Sequence, residues 1–285
     1  MANQLTWWPS PAKLNLFLHI TGRRQDGYHH LQSLFQLLDQ GDQLAFETTT
    51  NGAIQLMTPL PGVADEDNLI VKAASLLKQY CHVSQGANIW LDKRLPMGGG
   101  IGGGSSNAAT TLVVLNTLWQ CGLTLEQLEA LGLQLGADVP VFVHGRTTFA
   151  SGVGEQFVDT EQPKHWFLVA SPGVHIATAE IFRHAELPRN TPTMQWQDYH
   201  FDSTANDCQT LVCQYHPKVA KLLHWLLEYA PSRMTGTGSC VFAVFPDQSQ
   251  AVKVLQAMPA EFAGFVAQGV NISPLHSQLE QWKNG

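Results

Sequence analysis

Residues 12–20, AKLNLFLHI, alternate: Leu14, Leu16, Leu18 and Ile20 fall on one side of an extended chain, and Lys13, Asn15, Phe17 and His19 on the other. Strand side chains switch faces at every residue, so this period predicts a strand with one apolar face and one face carrying polar groups. TGRRQDGYHH (21–30) reads as a loop. In LQSLFQLLD (31–39), Leu31, Leu34, Phe35 and Leu38 sit at helical spacing within a segment short for a helix, which leaves its type open. DQLAFETT and AIQLMT read as strands around the turn TNG. DNLIVKAASLLKQY (67–80) predicts an amphipathic helix with Asp67 as N-cap, and ANIWLDKRL (87–95) a strand. SSNAATTLVVLNTLWQCG predicts a helix capped by Ser105 or Ser106 and ended by Gly122. TLEQLEALGLQLG predicts another, opened by a capping box from Thr124 to Gln127. VPVFVHG and TTFAS read as strands.

After residue 160 the pattern restarts. HWFLVASPG reads as a strand, TAEIFRHA as a short helix, 186–206 as an irregular polar stretch, and PKVAKLLHWLLEYA as an amphipathic helix. SCVFAVF, SQAVKVLQAM and GFVAQGV read as strand, helix and final strand, the order of a compact α+β layer. GVGEQFVDTEQPKHW is polar and linker-like, so a boundary is expected near 155–165. The expected units are 1–160 and 161–285.

Composition narrows the function classes. The 285 residues are 44% hydrophobic and 14% charged, as in a globular protein with a substantial core. The net charge of −7 carries no basic surplus for nucleic acid, so an anionic ligand must be held by local geometry. The five cysteines are odd in number and form no C-x-x-C pair, which points to free thiols in a reducing compartment. No run of about 18 apolar residues spans a membrane, and the first residues lack a signal-peptide pattern. A cytoplasmic protein, monomeric or a weak homodimer, is expected. Twelve histidines form no H-E-x-x-H and no compact Cys/His cluster, against a zinc site.

LPMGGGIGGGSSNAAT (95–110) packs six glycines into seven positions. Glycine in ordered structure costs roughly 0.5–1 kcal/mol relative to alanine, so the run needs a reason. It stands between a strand and an apolar helix, where a glycine loop presents free N–H groups and the helix N-terminus adds partial positive charge. That is a phosphate cradle needing almost no lysine. A P-loop is excluded because no lysine lies between Lys93 and Lys164. Gly98, Gly100 and Gly103 match G-x-G-x-x-G, but residues 107–125 hold no acid for a dinucleotide's ribose. H-R-D and D-F-G of protein kinases are absent.

The stretch P-x-G-G-G-I-G-G-G-S-S-N-A-A resembles the central motif of the GHMP small-molecule kinases. PSPAKLNLFLHITGRRQDGYHHLQSLFQ (9–36), LGADVPVFVHG (135–145) and RMTGTGSCVFAVF (233–245) are similar to that family's flanking motifs, in order and almost end to end. The doubled glycine triplet is closest to the branch that phosphorylates the 2-hydroxyl of a cytidine-diphosphate-linked methylerythritol in non-mevalonate isoprenoid biosynthesis. The resemblance implies a two-domain α/β (α+β) fold, with an N-terminal ATP-binding and catalytic domain and a ferredoxin-like C-terminal domain. It makes LQSLFQLLD a strand, against its helical spacing.

It also implies roles. Pro96, Met97, Gly98, Gly99, Gly100, Ile101, Gly102, Gly103, Gly104, Ser105 and Ser106 would hold ATP. Asp138, which reads by itself as a turn residue, would be the catalytic base, and Lys13 would contact it and organise the developing alkoxide. Tyr28 and Phe182 would sandwich the cytosine with Phe35 adjacent, His29 would read the base, and Asn15 and Thr178 would touch the rest of the acceptor. Mg²⁺ is implied. No protein ligand is assigned to it, since Ser106 has no obvious glutamate partner nearer than Glu126, so phosphates and water are expected to carry it. The alternatives are another acceptor within the superfamily, such as homoserine or mevalonate, a nicotinamide-dependent oxidoreductase, or a non-catalytic sensor on the same fold.

Overall fold

The structure, a computed structural model, describes residues 5–284. Two long strands, β1 (Trp7–Arg23) and β2 (His29–Thr49), pair antiparallel. β2 is the spine: it also takes β4 (Gly86–Asp92), β5 (Thr148–Ser151) and β10 (Ala263–Val270) as antiparallel partners. β3 (Ile54–Leu56) lies parallel to β4, and β6 (Gln156–Asp159) antiparallel to β5. β10 reaches β2 through Gly269 and Val270 opposite Leu38 and Leu37. From there the sheet continues through β7 (Trp166–Ser171), β9 (Val241–Phe245) and β8 (Ser232–Met234). Both halves of the chain therefore share one hydrogen-bonded sheet.

LQSLFQLLD is a strand inside β2. Leu31, Ser33 and Phe35, two residues apart, line one cleft, while Leu34 and Leu38 pack into a core. Both faces of this strand are covered, so apolar residues occupy odd and even positions and imitate a helical stripe. The two-faced reading of β1 needs correction for the same reason: residues 10–20 are buried on both sides. Its register with β2 slips between Asn15 and Leu18. That β-bulge turns Leu18 onto the cleft that Lys13 and Asn15 line, which strict alternation would forbid.

Among the helices, α1 (Leu69–Tyr80) is capped by Asn68, whose Oδ1 accepts from the Ile70 N–H at 2.9 Å; the expected cap, Asp67, lies in a preceding 3₁₀ turn. α2 (Gly103–Leu118) starts inside the glycine run. Its cap is Gly102 and neither serine, because the Ser106 N–H already closes the first turn on the Gly102 carbonyl. α3 (Leu125–Leu135) has the expected Thr124–Gln127 capping box. VPVFVHG, expected as a strand, is the short helix α4 (Val139–His144). Pro140 sits in its first turn, where a missing N–H costs nothing, and Gly145 ends it in the left-handed region. Val139–Val143 are buried all round, so no period distinguishes helix from strand there. The linker-like stretch contains β6.

The second half adds α5 (Thr178–Arg183), α6 (Gln209–Tyr215), α7 (Pro217–Leu227) and α8 (Gln248–Ala257). α9 (Pro274–Asn284) returns Leu275 and Leu279 to the core formed with α1–α4. A second core gathers α6–α8 against β7–β9. A third joins the halves, with Leu14, Phe17 and Ile101 against Phe167, Val169 and Phe242. The irregular stretch 186–206 is pinned down: the Arg233 guanidinium donates to the Phe201 and Thr204 carbonyls at 2.7 and 2.6 Å, and to that of Leu16.

Candidate active site

The glycine run opens a cleft of about 360 Å³ lined by every residue from Pro96 to Ser105. Leu60, Val63 and Leu69 give that cleft an apolar wall suited to a flat base. Because Ser106 makes the first helical bond of α2, the N–H groups of Gly103, Gly104 and Ser105 ahead of it have no partner within the helix. They and the helix dipole form the cradle that an anionic triphosphate fits. Ser106 itself stays out of the cleft. It is fully buried, and its Oγ accepts from Ser10 Oγ at 2.9 Å.

Gly100 and Gly102 are required by contact. Gly100 has φ +73°, and a Cβ there would lie 2.6 Å from the Thr235 carbonyl oxygen and 2.8 Å from that of Gly238. Gly102 has φ +75°, and its Cβ would lie 2.5 Å from the Phe142 ring and 3.3 Å from Lys13 Cε. The third glycine motif thus docks backbone to backbone on the first, with the Cys240 N–H donating to the Gly99 carbonyl at 3.0 Å. Burial pushes the Cys240 thiol up to about 12, so it stays neutral beside the cradle.

Lys13, 1% exposed, is the pivot. Its Nζ lies 3.2 Å from Asp138 Oδ2 and donates to Asn15 Oδ1 at 2.6 Å and to the Gly100 carbonyl at 3.1 Å. An ammonium has three donors, and all three have acceptors. A buried cation without such partners would cost several kcal/mol. Asp138 occupies the cap position of α4, with its side chain 39% exposed. Asn15 is committed on both side-chain atoms, since its Nδ2 donates to Ser33 Oγ at 2.8 Å. It orients Lys13.

A second cleft, about 270 Å³, lies across Lys13 and Asp138. Asn15, Phe35, Thr178 and Phe182 line it. Thr178 Oγ1 is 2.9 Å from Thr237 Oγ1. His29 is buried behind this wall with its ring stacked on Phe182, centroids 5.2 Å apart and planes at 29°. Burial, then the charges of Arg189 and Arg23, hold the His29 imidazole below the usual histidine range. Tyr28 is not part of this wall: it is 65% exposed and lines a shallower neighbouring cleft that shares Ala137 and Val153 with this one. Sequence reasoning missed Ser33 and Thr237. Thr237 lies inside the third glycine motif, and Ser33 is the polar member of the Leu31–Phe35 alternation.

The two clefts share Gly100, Ser105 and Asp138. A donor phosphate and an acceptor alcohol would meet there, beside a carboxylate and a fixed ammonium. Among the described residues no group of three or more His, Cys, Asp or Glu could hold a metal ion.

The family description GHMP kinases N terminal domain matches residues 68–146, and GHMP kinases C terminal matches 200–264. The 4-diphosphocytidyl-2-C-methyl-D-erythritol kinase of Pseudoalteromonas atlantica is 60% identical over 279 residues, covering 98% of each chain. That of Shewanella woodyi is 55% identical over 283 residues, covering 99% of this chain and 100% of its own. A crystal structure of 4-(cytidine 5′-diphospho)-2C-methyl-D-erythritol kinase superposes with a TM-score of 0.82 at 29% identity, covering 93% of this chain and 100% of its own. Homoserine kinase from Cytophaga hutchinsonii, at 14% identity and a TM-score of 0.66, covers 96% of each chain and shares the fold. The chain belongs to the GHMP kinases, in the branch of the 4-diphosphocytidyl-2-C-methyl-D-erythritol kinases.

Proposed function

We propose that this protein transfers the γ-phosphoryl group of ATP to the 2-hydroxyl of 4-diphosphocytidyl-2-C-methyl-D-erythritol, a step of non-mevalonate isoprenoid synthesis. The observation that carries the reading is the meeting of the two clefts at Gly100, Ser105 and Asp138. Relatives at 54–60% identity bear that kinase's name.

Asp138 Oδ2 is engaged by Lys13, which leaves Oδ1 for the acceptor's proton. The hydroxyl oxygen forms its bond to the γ-phosphorus as that proton passes to Asp138, and the bond to the β-γ bridging oxygen breaks to release ADP. Lys13 has no proton to spare, because all three are donated within the protein. Its role is electrostatic: a fixed positive charge beside the developing alkoxide. The amides of residues 103–105 and the end of α2 face the triphosphate. Mg²⁺, bound with ATP, would supply charge neutralisation on the phosphates.

Residues up to 160 then bear the donor cradle, Lys13 and Asp138, while 161–285 supply Thr178, Phe182 and Thr237 to the opposite wall. No helix among the described residues is long and apolar enough to cross a membrane. A cytoplasmic setting accords with the five free thiols.

The test is a phosphorylation assay with Mg-ATP across an acceptor panel: the cytidine-diphosphate-linked methylerythritol, the same polyol without cytidine, homoserine and mevalonate. Turnover of the first alone is expected. Preference for homoserine or mevalonate would move the protein to another branch's chemistry.

A further inference from the structure

The aromatic wall of the acceptor cleft is held by a residue outside it. Arg189 follows α5, and its guanidinium spans two elements. Nη2 donates to the Phe182 and His184 carbonyls at 3.1 and 2.6 Å, and Nη1 to the Leu187 carbonyl at 3.0 Å. Those carbonyls lie at and beyond the last turn of α5, where main-chain acceptors are left over and a cation is favoured. Nε donates to His29 Nε2 at 3.1 Å, across 160 residues of sequence. One planar group thus ties the start of β2 to the helix that presents Thr178 and Phe182, and it sets the distance at which the His29 and Phe182 rings stack.

The contact also has a chemical consequence. Arginine only donates, so His29 Nε2 must be the ring's unprotonated acceptor. The proton of the neutral imidazole then sits on Nδ1. The Arg189 charge acts in the same direction as burial by disfavouring the doubly protonated ring. We propose that Arg189 is a positioning residue for acceptor recognition: it locks His29 in the neutral Nδ1–H tautomer and fixes the Phe182 ring against it, so that the base of a cytidine-diphosphate-linked acceptor meets a preformed aromatic wall. The assignment of the base to this wall rests on the proposed function; the coupling of Arg189 to the His29 tautomer does not.

Arg189→Met and Arg189→Lys test it in the full chain. Arg189→Met is expected to raise KM for the cytidine-linked acceptor about tenfold or more, with kcat within about threefold and KM for ATP unchanged. Arg189→Lys, which keeps one donor, should fall between. Nitrogen-15 correlation spectra of the free protein should place the His29 proton on Nδ1 in the wild type and in Arg189→Lys, and move it to Nε2 or to exchange in Arg189→Met. An unchanged acceptor KM in Arg189→Met, or a wild-type His29 proton on Nε2, overturns the proposal. So does a fall in kcat with both KM values moving together. Should the wild type not phosphorylate the cytidine-linked acceptor, the functional reading fails, and the spectra still decide whether Arg189 sets the tautomer. Should Arg189→Met not fold, Arg189→Lys and the wild-type spectrum carry the test.

Discussion

From Pro96 to Ser105 the proposed donor cleft is lined by a glycine loop, and more main chain holds that loop in place: the Gly99 carbonyl takes the Cys240 N–H, and Gly100 rests on the carbonyls of Thr235 and Gly238. Across Asp138 the wall of the proposed acceptor cleft is made of side chains from distant elements, with Asn15 and Leu18 from β1, Leu31, Ser33 and Phe35 from β2, and Thr178 and Phe182 from α5. A triphosphate presents the same oxygens to any member of a family, so backbone amides suffice, and glycine is what backbone contact demands. An acceptor differs from branch to branch, and its wall can change one side chain at a time without disturbing the cradle.

The sharpest test of that division falls on the residue common to both sides. Asp138→Asn is expected to lower kcat by at least about 100-fold, with ATP affinity from titration calorimetry nearly unchanged, since the amide cannot take the proton while the cradle persists. Wild-type turnover would remove Asp138 from its role. Next in size is Gly100→Ala, expected to cost about 1–3 kcal/mol by strain and clash and to raise KM for ATP. Gly104→Ala is its control. A Cβ at Gly104 would meet only Leu69 Cδ1, at 3.7 Å, and its N–H would be retained, so urea melts should differ little from wild type. Equal damage from both would mean that the whole loop, and not its docked face, requires glycine.

On the acceptor side Phe182→Ala should raise acceptor KM by a factor of about 2–10, the worth of an aromatic contact, and leave KM for ATP alone. A parallel rise in both would dissolve the division between the sites. The smallest expected effect concerns α4, which begins after Asp138 and ends at His144. His144 Nδ1 is 3.0 Å from Glu129 on α3 and its Nε2 2.6 Å from Asp159 on β6, with Arg146 and His276 of α9 also close by. Burial lowers the His144 pKa, but the two carboxylates outweigh it, and the net shift is upward. A raised folded pKa means that this contribution is full below about pH 6.5 and fades as pH rises through the folded value. Wild type should therefore exceed His144→Gln in stability at pH 6 by about 0.3–1 kcal/mol, with the gap closing toward pH 9. His19, His29 and His276 are shifted the other way and are present in both proteins. A gap that widens with pH would contradict the ion-pair account.

The same contrast governs what could be read from the chain. The glycine-lined cleft was legible because its parts are consecutive: glycines, serines and a helix start lie within ten residues. α3 was legible because its capping box is local. α4 was not, since a buried run of five residues carries no period. The caps of α1 and α2 were misplaced by one and by three or four residues, because neighbouring polar residues compete for the role and only the chain path chooses. The family resemblance places Ser106 with the ATP-holding residues, yet one step further along α2 turns its side chain into the core against Ser10. Tyr28 and His29 are neighbours in sequence, and only His29 reaches the Phe182 wall.

The sequence by itself determined the glycine loop that opens α2 and most of the strands and helices, because each rests on contacts within a few residues. The tertiary structure decided which of those residues meet. It buried Lys13 with three acceptors, slipped β1 by a bulge so that Leu18 faces the same cleft, and laid the third glycine motif on the first. Those are long-range choices, set by packing on both faces of a sheet, and no local spacing encodes them.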